Sequence, residues 1–452
     1  MWMTSVVGSS AFHHSFLVSL RFLVLGSVLA TAFTIPKKLD RPHFAMSMTT
    51  PTTMPSSKPM PKRSEPLPPM IVSTTPGTWA YDTMSRRVDG EIMQRTEEDN
   101  PEWESRPEFA ASFQKFKELR AELQAAGSTK IRHLNKPLSS ETEEEAAHRQ
   151  LEWQQWYDIL DPYVKKGDTW LSAPWLVTEF YAYRRLLEAL GYWDAGNPAT
   201  FHRDPFLPAK RAGLESSVAS AEPCMERLEE LAQGDVDVAA GIGVAAGGFA
   251  LWGNKMDLSL WPANVDHATV DVFSKILASA TENLLHDDTS QLANHCQILK
   301  EKGGGHVDII VDNAGFELIT DLALADYLIQ SGIAKCVTFQ LKSHPTFVSD
   351  AMEKDLRMHV DHYAEVVDPV AFPHSSQAGK RWQEYLEDGR WKCHEDNFWV
   401  QPLPMWDMYD ELRQDMAQRC DLAFVKGDAN YRRLLGDIEW DLTNNTFQDV
   451  VG

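Results

Sequence analysis

Cysteine is scarce in this sequence, and no pair of cysteines has the spacing of a disulfide framework or a metal site. The chain of 452 residues has five cysteines, an odd number, scattered and without a C-x-x-C or Cys/His ligand pattern. A small disulfide-stapled scaffold and a structural zinc site are therefore not indicated. This cysteine usage fits a reducing compartment, and we expect a cytoplasmic protein.

Positive charge is also in short supply. Forty-three Lys and Arg residues face sixty-five Asp and Glu residues, which gives a formal net charge of -22. A surplus of negative charge repels phosphate backbones and anionic lipid surfaces. The composition therefore excludes nucleic acid as an expected partner.

Long apolar runs are rare, apart from one near the N-terminus. Residues 16–35 are nearly all apolar apart from Arg21, and Ala30-Thr31-Ala32 has the form of a small-residue cleavage site. A signal peptide or marginal membrane anchor is one interpretation, and a non-conforming leader is the other. We expect no membrane association unless this segment acts as such an anchor. Pro, Ser, Thr and Met dominate residues 36–77, which predicts a disordered linker.

The remaining sequence predicts two folded units. After a leader and linker over residues 1–78, helical periodicity predicts a helical domain over residues 79–235 and an α/β domain over residues 236–452. In the first, Ser140-x-x-Glu143 has the form of a capping box, and an amphipathic helix is predicted from about Ser216 to Leu231. The expected fold class is α/β, a three-layer parallel-rich sheet with helices on both faces, plus the N-terminal helical domain.

A strand–helix–strand unit is predicted at the centre of the second domain. Val307–Asp312 is short, apolar and β-branched, the helical pattern begins at Phe316, and Cys336–Leu341 forms the next strand. A third buried strand is predicted at Asp421–Val425. Because parallel sheets place ligand sites at the carboxyl ends of their strands, the residues after these strands are expected to face one crevice.

Oxygen ligands and cations follow these strands. Asp312, Asn313 and Asp350 are hard ligands that suit Mg²⁺ or Mn²⁺ better than zinc. The expected cations beside them, which would hold a phosphate next to a metal, are Lys342, Lys426 and Arg432. Each residue alone is interpreted as a strand-end turn or a surface charge, but together they predict a metal and phosphate site.

Two glycine-rich features lie before this unit. Gly241–Ala246 matches the dinucleotide pattern G-x-G-x-x-A, which in a true fingerprint follows a strand, opens a helix and precedes an acidic ribose ligand by about twenty residues. Here the glycines continue through Gly247 and Gly248, and this context disfavours nicotinamide binding. In the second feature, Asn254 stands in a Gly-Asn turn with Asp257 three residues later. This pair could supply oxygen ligands, and it could equally begin an ordinary helix.

Several long motifs resemble one family. Four segments carry the resemblance, and in chain order they are LWGNKMDLSL, VDNAGFELITDL, FVSDA and VKGDANYRRLLGD. The family that they resemble is the damage-control phosphatase family. The match is closer to its subfamily III, whose members are also described as protein-carboxyl methyltransferases, and it covers roughly Trp79 to Trp440. The resemblance implies an α/β fold, a divalent metal (Mn²⁺ foremost, with Mg²⁺, Co²⁺ or Ni²⁺ tolerated) and hydrolysis of small sugar phosphates such as fructose 1-phosphate and fructose 6-phosphate.

The resemblance also assigns roles to single residues. It implies metal ligation by Asp312, Asn313 and Asp350, and a phosphate-bordering turn at Asn254 and Asp257. Glu317 matches a residue given to cofactor binding under the methyltransferase description. The substrate-binding loop implied by the family comprises Asp428, Ala429 (where Leu is usual), Asn430, Tyr431 and Arg432. As a mechanistic hypothesis, Asp312 or Asp428 is the base, and Lys342 and Arg432 neutralise the developing charge.

One family feature is not found in the sequence. Subfamily III has an Arg-Thr-x-Lys motif beyond the Asn-Tyr-Arg loop, and the sequence ends at Gly452 without it. We therefore expect a C-terminally truncated form relative to the family. Two alternatives to the phosphatase stay open: a protein-glutamate O-methyltransferase that uses S-adenosylmethionine, and a non-catalytic truncated paralogue.

Overall fold

The computed structural model describes residues 67–137, 142–234, 238–251, 288–441, 443–445 and 450. The apolar segment at residues 16–35, most of the predicted linker, and Asn254 and Asp257 lie outside these ranges. Among the helices within these ranges, none combines the length and the apolar character needed to cross a membrane.

A four-stranded parallel sheet carries the strand ends predicted to form the site. The strands are β1 (Gly305–Ile310), β2 (Ala334–Lys342), β3 (Trp391–Asp396) and β4 (Leu422–Val425). Their order is β3-β2-β1-β4, and every neighbouring pair is parallel. The predicted strands are confirmed with shifted ends, while β3 was not predicted.

Helices surround the sheet and precede it, which confirms the predicted fold class. In chain order they are α1 (Trp79–Asp82), α2 (Gln94–Glu98), α3 (Glu102–Ser105), α4 (Ala110–Gln124), α5 (Glu143–Lys166), α6 (Trp175–Leu190), α7 (Leu207–Gln233), α8 (Val238–Ile242), α9 (Thr289–Glu301), α10 (Phe316–Gln330), α11 (Glu353–Asp361), α12 (Pro373–Glu387), α13 (Asp410–Arg419) and α14 (Asp428–Leu435). Wider π-helical turns join or extend three of them, at Thr83–Met93, Gly243–Ala250 and His362–Val366.

Ser140 of the predicted capping box lies outside the described residues. Helix α5 is capped by Thr142, whose hydroxyl oxygen accepts from the backbone N–H of Glu145 at 3.1 Å. Three glutamates fill its first turn and two lysines its last, so both ends complement the helix dipole. The helix ends at Gly167, whose φ of +78° is the left-handed conformation that glycine adopts without strain.

Alternation along β1 shows that both faces of the sheet are covered. Val307 and Ile309 belong to a sheet core shared with helices α7, α9 and α10, whereas Ile310 joins a second cluster with Phe398 and Tyr431. Successive strand residues point to opposite faces, so the two clusters lie on opposite sides of the sheet.

A further core lies among the N-terminal helices. This helical core includes Trp156, Trp170, Leu176 and Tyr181. Phe347, from the loop after β2, packs against the same cluster. Helix α7, which the predicted division assigns to the helical domain, packs in the sheet core, and the domain division itself stays a prediction.

Candidate functional site

The Asp312 carboxylate lies at the carboxyl edge of the sheet, against the turn that follows β4. Asp312 comes two residues after β1, and its neighbour β4 leads into Gly427. An ideal Cβ placed on Gly427 would lie 1.9 Å from Asp312 Cγ, and the φ of Gly427 is +88°. Only glycine therefore allows the carboxylate and this backbone to approach so closely.

The loop after β2 brings Asp350 beside Asn313. The two residues form an isolated antiparallel bridge, in which Ala351 N donates to Asp312 O at 2.8 Å and Ala314 N donates to Ser349 O at 2.7 Å. The structure thus joins Asp312, Asn313 and Asp350 at one edge of the sheet. Asp312 and Asp350 are 38 positions apart in the sequence, and these backbone hydrogen bonds bring them together.

Hydrogen bonds fix the Asn313 amide. Its Nδ2 donates to Asp312 Oδ2 at 2.7 Å and to Glu317 Oε2 at 2.9 Å, and its Oδ1 accepts from the Ser349 hydroxyl at 2.6 Å. Asn313 therefore holds two carboxylates in place through one side chain, while Ser349 sets the direction of its amide oxygen.

The carboxylates of Asp312 and Asp350 are both buried at this edge of the sheet. Asp312 and Asp350 are 4% and 2% exposed. Burial, followed by repulsion from Asp350 and Glu317, raises the pKa of Asp312 well above its usual value. Burial also raises the pKa of Asp350 to about 6, although the neighbouring Lys342 ammonium opposes that rise. The site is therefore short of positive charge.

Two lysines lie at the strand ends as predicted, with different partners. Lys342 Nζ lies 3.1 Å from Asp350 Oδ2 and donates to Val311 O at 3.4 Å. Lys426 Nζ lies 3.1 Å from Glu317 Oε1 and 2.8 Å from Asp321 Oδ1. Lys342 thus faces the candidate metal ligands directly, whereas Lys426 lies behind them between two buried carboxylates.

The predicted substrate-binding loop forms the first turns of α14. Asp428 begins that helix, and its charge contributes to the raised pKa of both Asp312 and Asp350. Asn430 is fully buried and donates from Nδ2 to Lys426 O at 2.8 Å, while its Oδ1 has no hydrogen bond among the described residues. Tyr431 is buried in the cluster that contains Ile310. Asp428 is thus the residue of this loop whose charge reaches the carboxylate site.

Arg432 is bound on several sides. Its guanidinium donates to Glu179 Oε2 at 2.5 Å and to both oxygens of Asp437, at 3.1 and 2.9 Å. Its Cζ also lies 3.8 Å from the centre of the Trp175 ring. Glu179 and Trp175 both belong to α6, so Arg432 joins the predicted substrate-binding loop to the helical part of the protein.

The loop before Asp350 holds a strained backbone. Phe347 and Val348 have φ angles of +46° and +68°. A β-branched residue rarely adopts this left-handed conformation, which costs on the order of 1–3 kcal/mol per residue. The Phe347 ring packs against Phe180 and Tyr183 of α6, with ring centres 4.6 and 4.7 Å apart. Packing on α6 therefore helps to hold the strained loop that carries Asp350.

His359 supports the turn after Asn313 from behind. The backbone N–H of Gly315 donates to His359 Nε2 at 2.8 Å, so Nδ1 carries the ring proton and donates to Asp355 O at 2.7 Å. Burial lowers the pKa of His359 to about 4, which keeps this ring neutral. Sequence reasoning missed His359, Ser349 and Glu179, because each acts through contacts between distant parts of the chain.

The donor set fits a hard divalent cation. Asp312, Asn313 and Asp350 offer oxygen atoms only, and the buried Asp350 Oδ2 has the Lys342 ammonium at 3.1 Å as its polar neighbour among the described residues. Among all residues that the structure describes, no group of three or more His, Cys, Asp or Glu side chains is arranged to hold a metal ion. The candidate metal site thus depends on the Asn313 amide beside two carboxylates.

Comparison with known proteins places the chain in a family. Residues 83–448 match the family described as the damage-control phosphatase ARMT1-like domain. The chain is similar to proteins named damage-control phosphatase ARMT1 from Danio rerio (32% identity, covering 81% of this chain and 79% of the relative) and Mus musculus (33%, 66% and 69%). The relative from Homo sapiens is 31% identical, with 64% and 67% covered. The chain therefore belongs to the damage-control phosphatase ARMT1-like domain family.

Proposed function

We propose that this protein is a metal-dependent phosphatase that hydrolyses small sugar phosphates, with fructose 1-phosphate and fructose 6-phosphate as representative substrates. The observation that carries the proposal is the buried carboxylate pair Asp312 and Asp350, with Lys342 3.1 Å from Asp350 at the carboxyl edge of a parallel sheet. The names of the relatives support the class of reaction.

The residues around the pair suit a divalent cation, Mn²⁺ in the first place, and Mg²⁺, Co²⁺ or Ni²⁺ as alternatives. Asp312, Asn313 and Asp350 would hold it through oxygen atoms, and it would supply positive charge to a phosphoryl oxygen. Its charge would also offset the repulsion that raises the pKa values of Asp312 and Asp350. This electrostatic relief is the physical reason to expect tight cation binding.

The protein's own residues then bind and orient the ester. Lys342 provides a fixed ammonium for the charge that develops on the phosphoryl group. Asp312 or Asp428 accepts the proton of the attacking water. Arg432 keeps the substrate-binding loop next to these groups through its ion pairs with Glu179 and Asp437.

The test is phosphate release from fructose 1-phosphate in the presence of Mn²⁺. We expect the variant Asp312→Ala to lose this activity, and the variant Asp388→Ala to keep it, because Asp388 is an exposed residue paired with Arg390 on a different turn. Undiminished turnover by Asp312→Ala would contradict the proposal. Metal binding without turnover of any phosphoester in a panel would instead favour the non-catalytic alternative.

A further inference from the structure

One face of helix α6 covers the two loops that carry the site. Glu179 binds Arg432 of the substrate-binding loop, and Phe180 packs on Phe347 of the loop that leads to Asp350. Tyr183 lies four residues after Glu179, one turn further along the same face, and also packs on Phe347. Helix α6 thus provides a wall of the site that contacts both loops.

The Tyr183 side chain on this wall is buried, but its hydroxyl is not among the fully enclosed polar atoms that lack a partner. The residue is 3% exposed, and within the described ranges its hydroxyl makes no hydrogen bond. Tyr181 of the same helix instead donates to Arg132 O at 2.6 Å. A hydroxyl that makes no such bond and is not fully enclosed is open to an acceptor brought in from outside.

The surroundings of the phenol define the chemistry of that group. Burial raises the pKa of Tyr183 well above its usual value, and the charges of Glu179, Asp350 and Asp428 raise it further. The phenol therefore keeps its proton and stands among carboxylates. A neutral hydroxyl can accept from the phenol and donate to one of these carboxylates, whereas the phosphoryl group has the Lys342 ammonium as its charged partner.

We propose that Tyr183 is a substrate-binding residue whose hydroxyl donates to a hydroxyl group on the sugar or polyol part of a phosphate ester. This inference rests on the proposed phosphatase function and extends it, because it assigns the non-phosphate half of the substrate to helix α6. The phosphoryl group lies on the Lys342 side and the polyol on the Tyr183 side of the Asp350 loop.

The test compares two substrates that differ in their hydroxyl groups. In the presence of Mn²⁺, kcat/KM is measured for fructose 1-phosphate and for 4-nitrophenyl phosphate, with the wild-type chain and the variant Tyr183→Phe. We expect a loss of about tenfold for fructose 1-phosphate, and a change within about twofold for 4-nitrophenyl phosphate, which has no hydroxyl to bind.

The variant Tyr181→Phe is the matched control, because it removes a hydroxyl of the same helix that is bonded within the helical core. It is expected to leave the ratio of the two kcat/KM values unchanged. The inference is overturned if Tyr183→Phe also leaves that ratio unchanged in an active enzyme. If the wild-type chain hydrolyses neither substrate, the proposed function fails, and the inference fails with it.

Discussion

At the scale of single residues, Gly427 decides where the Asp312 carboxylate can lie. A methyl group at this position would overlap Asp312 Cγ at 1.9 Å, so the variant Gly427→Ala must displace the carboxylate or the turn. Since a shift of about 1 Å in a catalytic group can cost about 100-fold in rate, we expect Gly427→Ala to lose at least that much kcat/KM for fructose 1-phosphate.

Gly389 offers a control for backbone strain alone. Its φ of +79° is close to the +88° of Gly427, but an added Cβ would meet nothing within 4 Å. The variant Gly389→Ala is expected to lose about 1 kcal/mol of unfolding free energy and to keep its activity. Equal activity losses in the two variants would show that contact with Asp312 is not the cause.

Part of this residue-scale arrangement could be predicted from the sequence. Asp312, Asn313 and Lys342 lie at or just beyond the carboxyl ends of buried strands, and parallel pairing places such positions at one edge of a sheet. The amide orientation set by Ser349 and the support that His359 gives to Gly315 have no local sequence signal. They arise from contacts across 36 and 44 positions, which depend on the path of the loops.

At the scale of elements, the ion pairs of Arg432 join α14 to α6. The guanidinium side chain is 10% exposed, and it contacts both Asp437 oxygens and Glu179 at once. A lysine cannot reproduce this forked contact. We expect Arg432→Lys to lower the unfolding free energy by about 2–4 kcal/mol in a urea titration, because a buried pair is broken and a charge is left unmatched.

An exposed arginine provides the comparison. Arg86 pairs with Asp82 and Glu91 through a side chain that is 55% exposed, so Arg86→Lys is expected to leave the unfolding free energy nearly unchanged. If Arg432→Lys changed the unfolding free energy as little as Arg86→Lys, the Arg432 ion pairs would not stabilise the contact between α14 and α6.

Buried strands could be predicted from the sequence, whereas the edge strand could not. Strands β1, β2 and β4 are buried along nearly their whole length, and their apolar runs predict them. Strand β3 lies at the edge of the sheet, where only Trp391 is buried, so the polar sequence of Lys392 to Asp396 gave no strand signal. Helix α7 begins at Leu207, nine residues before the predicted start, since Pro208 fits a first helical turn.

At the scale of the whole molecule, buried histidines make stability depend on pH. His344 faces Glu152, Arg184 and His148, and burial lowers its pKa to about 4. The unfolded chain, with a histidine pKa of about 6.5, binds the proton first as the pH falls. The folded state therefore loses stability between about pH 6.5 and pH 4. Relative to His344→Gln, we expect the wild-type chain to lose about 2 kcal/mol of unfolding free energy from pH 7 to pH 5.

His374 should behave in the opposite direction. Its hydrogen bond to Glu229 raises its pKa, so its contribution to stability is present below the unfolded pKa of about 6.5 and is lost as the pH rises. Relative to His374→Gln, the wild-type chain should therefore gain slightly at pH 5, and only slightly, because the His374 side chain is 33% exposed. Urea titrations at pH 7 and pH 5 measure the unfolding free energy of the wild-type chain and of both variants. The same dependence on pH for the His344 and His374 contributions would contradict this account.

The measurement that tests the central claim most directly is phosphate release from fructose 1-phosphate by the full chain, before chelation, after removal of divalent ions and after addition of Mn²⁺. The account predicts that chelation abolishes the release and that Mn²⁺ restores it, with no recovery in Asp350→Asn, which lacks one of the two charges. Undiminished release from the fully chelated protein would contradict it.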